Sequence, residues 1–184
     1  MCLVLLLPVI FIGFHRAPII LKYLNVIILI PFAIPPVVSS VGLLQIYANG
    51  MFKISGTAFI LIGTYFTIII PFIYRSIANS MSSINTHDLV DAARLLGASS
   101  SKAFFLVILP NIKKGILSGI FISLSALLGE FVFANILVGT QYETLQVYLY
   151  TKRVASGHFT SALVMTYFAF IFIFTVIASR IGSK

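Results

Sequence analysis

Four stretches of this chain are about as long as a membrane is thick and carry almost no charge. They cover residues 24–49, 57–74, 115–136 and 159–179, and the only charged residue in them is Glu130. A bilayer core about 30 Å thick needs about 20 residues of helix to cross it. Each stretch therefore predicts one transmembrane helix, and together they predict an all-α, polytopic membrane protein with about four full spans. Pro31, Pro35 and Pro36 predict that the span within 24–49 is kinked or interrupted.

A fifth apolar run covers residues 2–14 and ends before His15 and Arg16. It is too short to cross a bilayer and has no basic residue at its start, as a signal peptide would have. We interpret it as the second half of a span, so we expect the chain to be truncated at its N-terminus.

The composition excludes a soluble domain and a disordered chain, and it gives no sign of a disulfide, a metal site or a nucleic-acid partner. Of the 184 residues, 60% are hydrophobic and 9% are charged, and the mean hydropathy is +1.11. A soluble domain of this size cannot bury so much apolar surface, and disordered chains are polar. The single cysteine excludes an internal disulfide, and no Cys/His cluster indicates a metal or a cofactor. The net charge of +8 is explained by residues flanking the spans, so no nucleic-acid partner is predicted.

The basic residues are distributed unevenly between the two sides of the predicted membrane. Nine of the twelve fall in the segments 15–23, 75–114 and 180–184, and three fall on the opposite side: Lys53, Lys152 and Arg153. The positive-inside rule then places the first side in the cytoplasm of an inner (plasma) membrane. This predicts a cytoplasmic C-terminus and a long cytoplasmic loop, 75–114, within a single transmembrane domain, 1–184.

That loop carries helix signals. Asn85 or Thr86 can cap a helix, with Asp88 as a variant of the capping box, and Gly97 ends the helix. A serine among 99–101 can cap a second helix, which Pro110 ends.

The first of these helices has one apolar face, which consists of Leu89, Ala92, Ala93 and Leu96. A two-turn helix is marginal by itself and needs a partner surface. The pattern leaves two partners open: a groove on a cytoplasmic protein, or the lipid headgroups and the chain's own membrane domain.

The same loop resembles a known motif. Asp91-Ala92-Ala93, three residues, Gly97, nine residues and then Val107-Ile108-Leu109-Pro110 is similar to the EAA loop of ABC-importer permeases. Asp91 replaces the usual Glu, and Val107 replaces the usual Ile. Residues 31–38, 128–131 and 144–148 resemble further parts of the MetI-like permeases, nearest to those for polyamines, iron, sulfate and aminophosphonates.

The resemblance implies a function. Two permease subunits, identical or different, would form the pore, a cytoplasmic ABC ATPase would bind each, and an extracytoplasmic solute-binding protein would deliver a polyamine or another small polar solute or ion. The residues implied in coupling to the ATPase are Asp91, Ala92, Ala93, Arg94, Gly97, Leu109 and Pro110. The chain has no G-x-x-x-x-G-K-[ST] run, so we predict a non-catalytic subunit whose partner hydrolyses ATP.

Three polar residues are candidates for the translocation path: Glu130, Ser123 and Gln45. An acid inside a span is costly unless it faces protein or water, which makes Glu130 a functional candidate. Glu130 and Ser123 belong to a stripe of small and polar residues at positions 119, 123, 126, 130 and 134. That stripe predicts either a pore lining or a helix-packing face, and the pattern leaves both open.

Two other classes compete with the permease. Asp88, Asp91 and Arg94 superficially resemble a membrane phosphotransferase signature, but residue 92 is Ala and no Asp follows Asp91. A two-metal site needs more carboxylates than this. A stand-alone channel or scaffold does not explain the ordered loop.

Overall fold

The computed structural model of the chain describes residues 1–49, 53–154 and 157–183. Within these ranges the structure is helical and has no strand, which confirms the all-α fold. The helices are α1 (Cys2–His15), α2 (Pro18–Ile27), α3 (Ile30–Ala33), α4 (Pro36–Asn49), α5 (Ala58–Ser83), α6 (Thr86–Leu95), α7 (Ser100–Ala103), a π-helical turn (Phe104–Ile108), α8 (Leu109–Asn111), α9 (Lys113–Leu128), α10 (Val132–Leu137), α11 (Leu145–Lys152) and α12 (Gly157–Ser183).

The number of spans depends on how broken helices are counted. Among the residues that the structure describes, two helices are long and apolar enough to cross a membrane alone, Ala58–Ser83 and Gly157–Ile177. The total reaches the expected four if two bent pairs each count as one span: Pro18–Ala33 with Pro36–Ala48, and Ser100–Asn111 with Lys113–Leu128. The second pair, bent by 65°, therefore includes part of the segment expected to lie wholly in a loop. Helix α1 is a shorter apolar helix, as a partial span would be.

The proline-rich stretch 24–49 is interrupted, as its sequence predicts. Helix α2 ends at Ile27, α3 contains Pro31, and α4 begins at Pro36. Proline lacks an N–H group and is tolerated in the first turn of a helix, where that group has no partner. The prolines therefore start new helices here.

The chain forms two compact units, each made of two separate stretches. One contains Met1–Pro31 and Ile68–Leu124. Its buried core includes Ile10, Ile77, Met81, Ile108 and Ile112, and the hydroxyl group of Tyr74 donates to the Oδ1 atom of Asn25 at 3.2 Å.

Small residues join α5 to α9 inside this first unit. A Cβ atom added at Gly115 would overlap the side chain of Ser80, and one at Gly119 would lie 3.3 Å from the Cα atom of Ile73. The hydroxyl group of Ser76 donates to the carbonyl of Gly115 at 2.7 Å. The glycines thus allow the two helices to pack closely.

The second unit contains Phe32–Thr67 and Ser125–Lys184. Its core joins the first turns of α5 to α10 and α11, with six buried residues: Ile60, Leu61, Ala134, Leu137, Val138 and Val147. None of the described side chains of α12 is buried, and Phe168 and Phe172 are largely exposed. Such a helix suits contact with lipid or with another subunit.

The prediction of one continuous helix over 115–136 is wrong. Helix α9 ends at Leu128, residues 129–131 are not helical, and α10 starts at Val132. The stripe of small residues expected on one helix face therefore does not continue past Leu128. The reason is local and tertiary hydrogen bonding at Glu130, described below.

Candidate functional site

Helix α6 begins at the cap that its sequence predicts. The side chain of Asn85 accepts a hydrogen bond from the N–H group of Asp88 at 3.5 Å. It also donates one to the carboxyl group of Asp88 at 2.5 Å. Asp88 also lies in the first turn, where a negative charge is favourable. Asn85, rather than Thr86, is the capping residue. The hydroxyl group of Thr86 instead donates to the carbonyl of Met81 at 3.1 Å.

The end of α6 is equally well defined. The N–H group of Gly97 donates to the carbonyl of Arg94 at 2.8 Å, and the N–H group of Ala98 donates to the carbonyl of Ala93 at 3.0 Å. These two bonds form a Schellman motif. Gly97 has a φ of +83°, a value that glycine adopts without strain. The predicted helix stop at Gly97 is confirmed.

The structure divides the apolar face that was expected on α6. Ala93 is buried, together with Val90 and Thr86, so this side of the helix packs on the chain itself. Leu96 is 90% exposed, and Ala92 is also exposed. The prediction that Ala92 and Ala93 share a surface with Leu96 is therefore wrong, because Val90 occupies the centre of the inward face.

The outward side of α6 combines apolar and charged groups. Leu95 is 89% exposed, like Leu96. Asp91 and Arg94 lie 3.8 Å apart as an exposed ion pair, which contributes little to stability. Arg94 also donates to the hydroxyl group of Ser100 at 2.7 Å and so connects α6 to α7.

The segment after Gly97 is helical but irregular. The hydroxyl group of Ser99 caps α7 by accepting from the N–H group of Lys102 at 3.3 Å. A π-helical turn follows, and Leu109 and Pro110 lie in α8, which ends at Asn111. Pro110 therefore does not end this helix as expected. It takes an early position in α8, where its missing N–H group is tolerated.

Glu130 caps the short helix α10. One of its carboxyl oxygens accepts from the N–H group of Phe133 at 2.7 Å, and the other accepts from the N–H group of Ala134 at 3.1 Å. The hydroxyl group of Tyr65 donates to the second oxygen at 3.0 Å. These bonds satisfy donors that the start of a helix leaves unpaired, a strong requirement within a membrane.

The carbonyl of Leu128, on the other side of the break, also has partners. It accepts from the amide of Gln146 at 2.8 Å and from the hydroxyl group of Tyr167 at 2.6 Å. Helices α11 and α12 therefore hold the end of α9 by hydrogen bonds. No local pattern predicts the roles of Tyr65, Gln146 and Tyr167, because their partners lie far away in the chain.

The other two candidates for the translocation path have different surroundings. Ser123 is buried, and its hydroxyl group donates to the carbonyl of Gly119 at 2.7 Å. Gln45 is exposed on α4. No group of three or more potential metal ligands is found among the residues that the structure describes.

Comparison with known proteins identifies the family. The family of binding-protein-dependent transport system inner membrane components matches residues 7–184. The chain belongs to this family. The EAA-like loop of residues 91–110 indicates the same family.

Individual relatives carry more specific names. The chain is 27% identical over 168 residues to a 2-aminoethylphosphonate transport system permease, PhnV, of Salmonella typhimurium, covering 89% of this chain and 63% of that protein. It is 31% identical over 163 residues to the sulfate permease CysW of Escherichia coli, covering 79% and 55%. A sulfate permease, cysT, of Prototheca wickerhamii is 31% identical over 120 residues, covering 60% and 47%. The chain thus spans about half to two thirds of these relatives.

Proposed function

We propose that this chain is a permease subunit of an ATP-driven importer and that α6 is its contact with a cytoplasmic ATPase. A second permease subunit and an extracytoplasmic solute-binding protein complete the assembly, which lies in the inner membrane with the C-terminus of this chain in the cytoplasm. The family match and the uneven distribution of basic residues support this arrangement.

One observation carries the coupling proposal: α6 is capped at both ends, packs inward through Val90 and Ala93, and presents Leu95 and Leu96 almost fully exposed. Covering two adjacent exposed leucines removes apolar surface from water, which favours binding to a partner with an apolar groove. A helix held rigidly on one side and open on the other can transmit a partner's movement into the packed core. Five of the seven coupling residues divide into Ala93 and Gly97, which shape the helix, and Asp91, Ala92 and Arg94, which would lie at the contact. The other two, Leu109 and Pro110, lie in α8, outside this helix.

We further propose that the transported solute is a small oxyanion. The relatives named above are permeases for sulfate and for 2-aminoethylphosphonate. Glu130 gives no separate support for a cation such as a polyamine, because the three hydrogen bonds that its carboxyl oxygens accept from the chain already explain its presence in a span. On the proposed outer side, Arg153 lies over the ring of Tyr150 at 3.8 Å and adds positive charge beside Lys152.

The coupling proposal is tested by retention of the importer's own ATPase on the purified permease. Leu95→Asp with Leu96→Asp removes two apolar contacts worth about 3 kcal/mol together, so we expect a loss of about 100-fold in affinity. Val154→Asp is the matched control, because Val154 is 84% exposed and lies on the proposed outer side. Retention of the ATPase by the double variant at the wild-type level would contradict the docking role.

A further inference from the structure

A buried histidine lies where α1 meets α6, and nothing in the transport function accounts for it. His15 is 8% exposed, and its Nδ1 atom has no hydrogen-bond partner among the described residues. Its ring stacks on Phe11 with centroids 5.7 Å apart, and Phe11 in turn contacts Phe104 at 4.8 Å. His87, in the first turn of α6, lies 5.4 Å from His15 between ring centroids.

These surroundings suit a neutral imidazole and disfavour a charged one. Burial lowers the pKa of His15 below its ordinary value of 6.5, and the positive charge of Arg94 lowers it further, followed by His87 and Arg16. Asp91 acts in the opposite direction and is the smallest influence. Protonation of His15 would therefore add a poorly solvated charge close to the positive charges of Arg94 and Arg16.

We propose that His15 makes the packing of α6 against α1 sensitive to acid. Two states of α6 matter: seated, in which it packs against α1, and displaced, in which it does not. Above pH 6.5 the ring of His15 is neutral in both states, and the contact has its full strength. As the pH falls below 6.5, the displaced state takes up a proton that the seated state resists, so the seated state loses stability. For one proton, the ratio of seated to displaced molecules falls up to tenfold per pH unit until the seated ring also titrates.

The consequence for α6 is melting as well as displacement. A ten-residue helix is marginal when it has no partner surface, so the backbone hydrogen bonds of α6 would weaken if its packing around His15 and His87 were lost. Acidification of the side of the membrane that holds α6 would thus reduce the fraction of permease able to bind an ATPase. The regulation rests on the proposed function, but the acid sensitivity of the helix does not.

The experiment measures amide hydrogen exchange of residues 86–95 in the full chain, in lipid nanodiscs, at pH 7.5 and pH 5.5. Protection factors, corrected for the intrinsic pH dependence of exchange, are the readout. We expect wild-type protection to fall several-fold at pH 5.5. His15→Phe and His15→Gln should both abolish the fall, and His158→Gln, at an exposed position in α12, should leave it unchanged.

A third variant tests the electrostatic cause. His87→Gln removes one positive neighbour, so the pKa of His15 should move towards 6.5 and the fall in protection should become smaller. Equal protection at both pH values in the wild type, or an undiminished fall in both His15 variants, would overturn the proposal. Because no ATPase is present, these outcomes are independent of the docking experiment.

Discussion

Removal of the Glu130 carboxyl group should destabilise the protein more than removal of any single partner of that group. Glu130→Ala leaves the N–H groups of Phe133 and Ala134 without acceptors, and Ala134 is fully buried. An unpaired buried backbone donor costs about 1–3 kcal/mol, so the variant should lose about 3 kcal/mol of unfolding free energy. Tyr65→Phe removes one hydrogen bond and keeps both backbone contacts. Side-chain hydrogen bonds in membrane proteins contribute about 0.6 kcal/mol on average, so we expect a loss near 1 kcal/mol.

The assay is denaturant unfolding in mixed micelles, followed by far-ultraviolet circular dichroism. Glu143→Ala is the control, because Glu143 is an exposed acid whose carboxyl group accepts only from Thr151 among the described contacts. Its loss should stay within about 0.5 kcal/mol. Equal stability of Glu130→Ala and the wild type would refute the capping role. If Glu130→Gln were instead to reduce uptake with no loss of stability, Glu130 would belong to the translocation path.

Two further predictions concern local geometry. Gly115→Ala should cost about 2 kcal/mol in the same unfolding assay, because its Cβ atom would overlap Ser80, whereas Gly63→Ala, with no atom within 4 Å of the added carbon, should be neutral or slightly stabilising. Asn85→Ala removes the cap of α6, worth about 1 kcal/mol, so amide exchange of residues 86–95 should rise about fivefold, and an unchanged rate would show that the cap contributes nothing.

The features that were predicted correctly depend on residues close together in the chain. The cap at Asn85 and the stop at Gly97 are hydrogen bonds over three to five positions, so the local sequence determines them. The interruption of residues 24–49 follows in the same way from the chemistry of proline. The family resemblance rests on residue identities at fixed spacing between Asp91 and Pro110, a single stretch of the chain.

The features that were missed depend on partners far apart in the chain. The inward face of α6 is centred on Val90 because the chain's own core covers that side, and the periodicity of ten residues does not reveal which side is covered. The break after Leu128 depends on Gln146, 18 positions away, and on Tyr167, 39 positions away.

Hydropathy is read along one span and capping along one helical turn, so the residues themselves indicate a membrane protein and the two ends of α6. Which polar groups have no partner within the chain depends on contacts that form on folding. A carboxyl group within an apolar run can bind a solute only if its oxygens have no partner in the chain. At Glu130 both oxygens accept hydrogen bonds from N–H groups in the first turn of α10. Partners brought together by folding, such as Tyr65, decide whether a polar atom in a membrane is structural or available for transport.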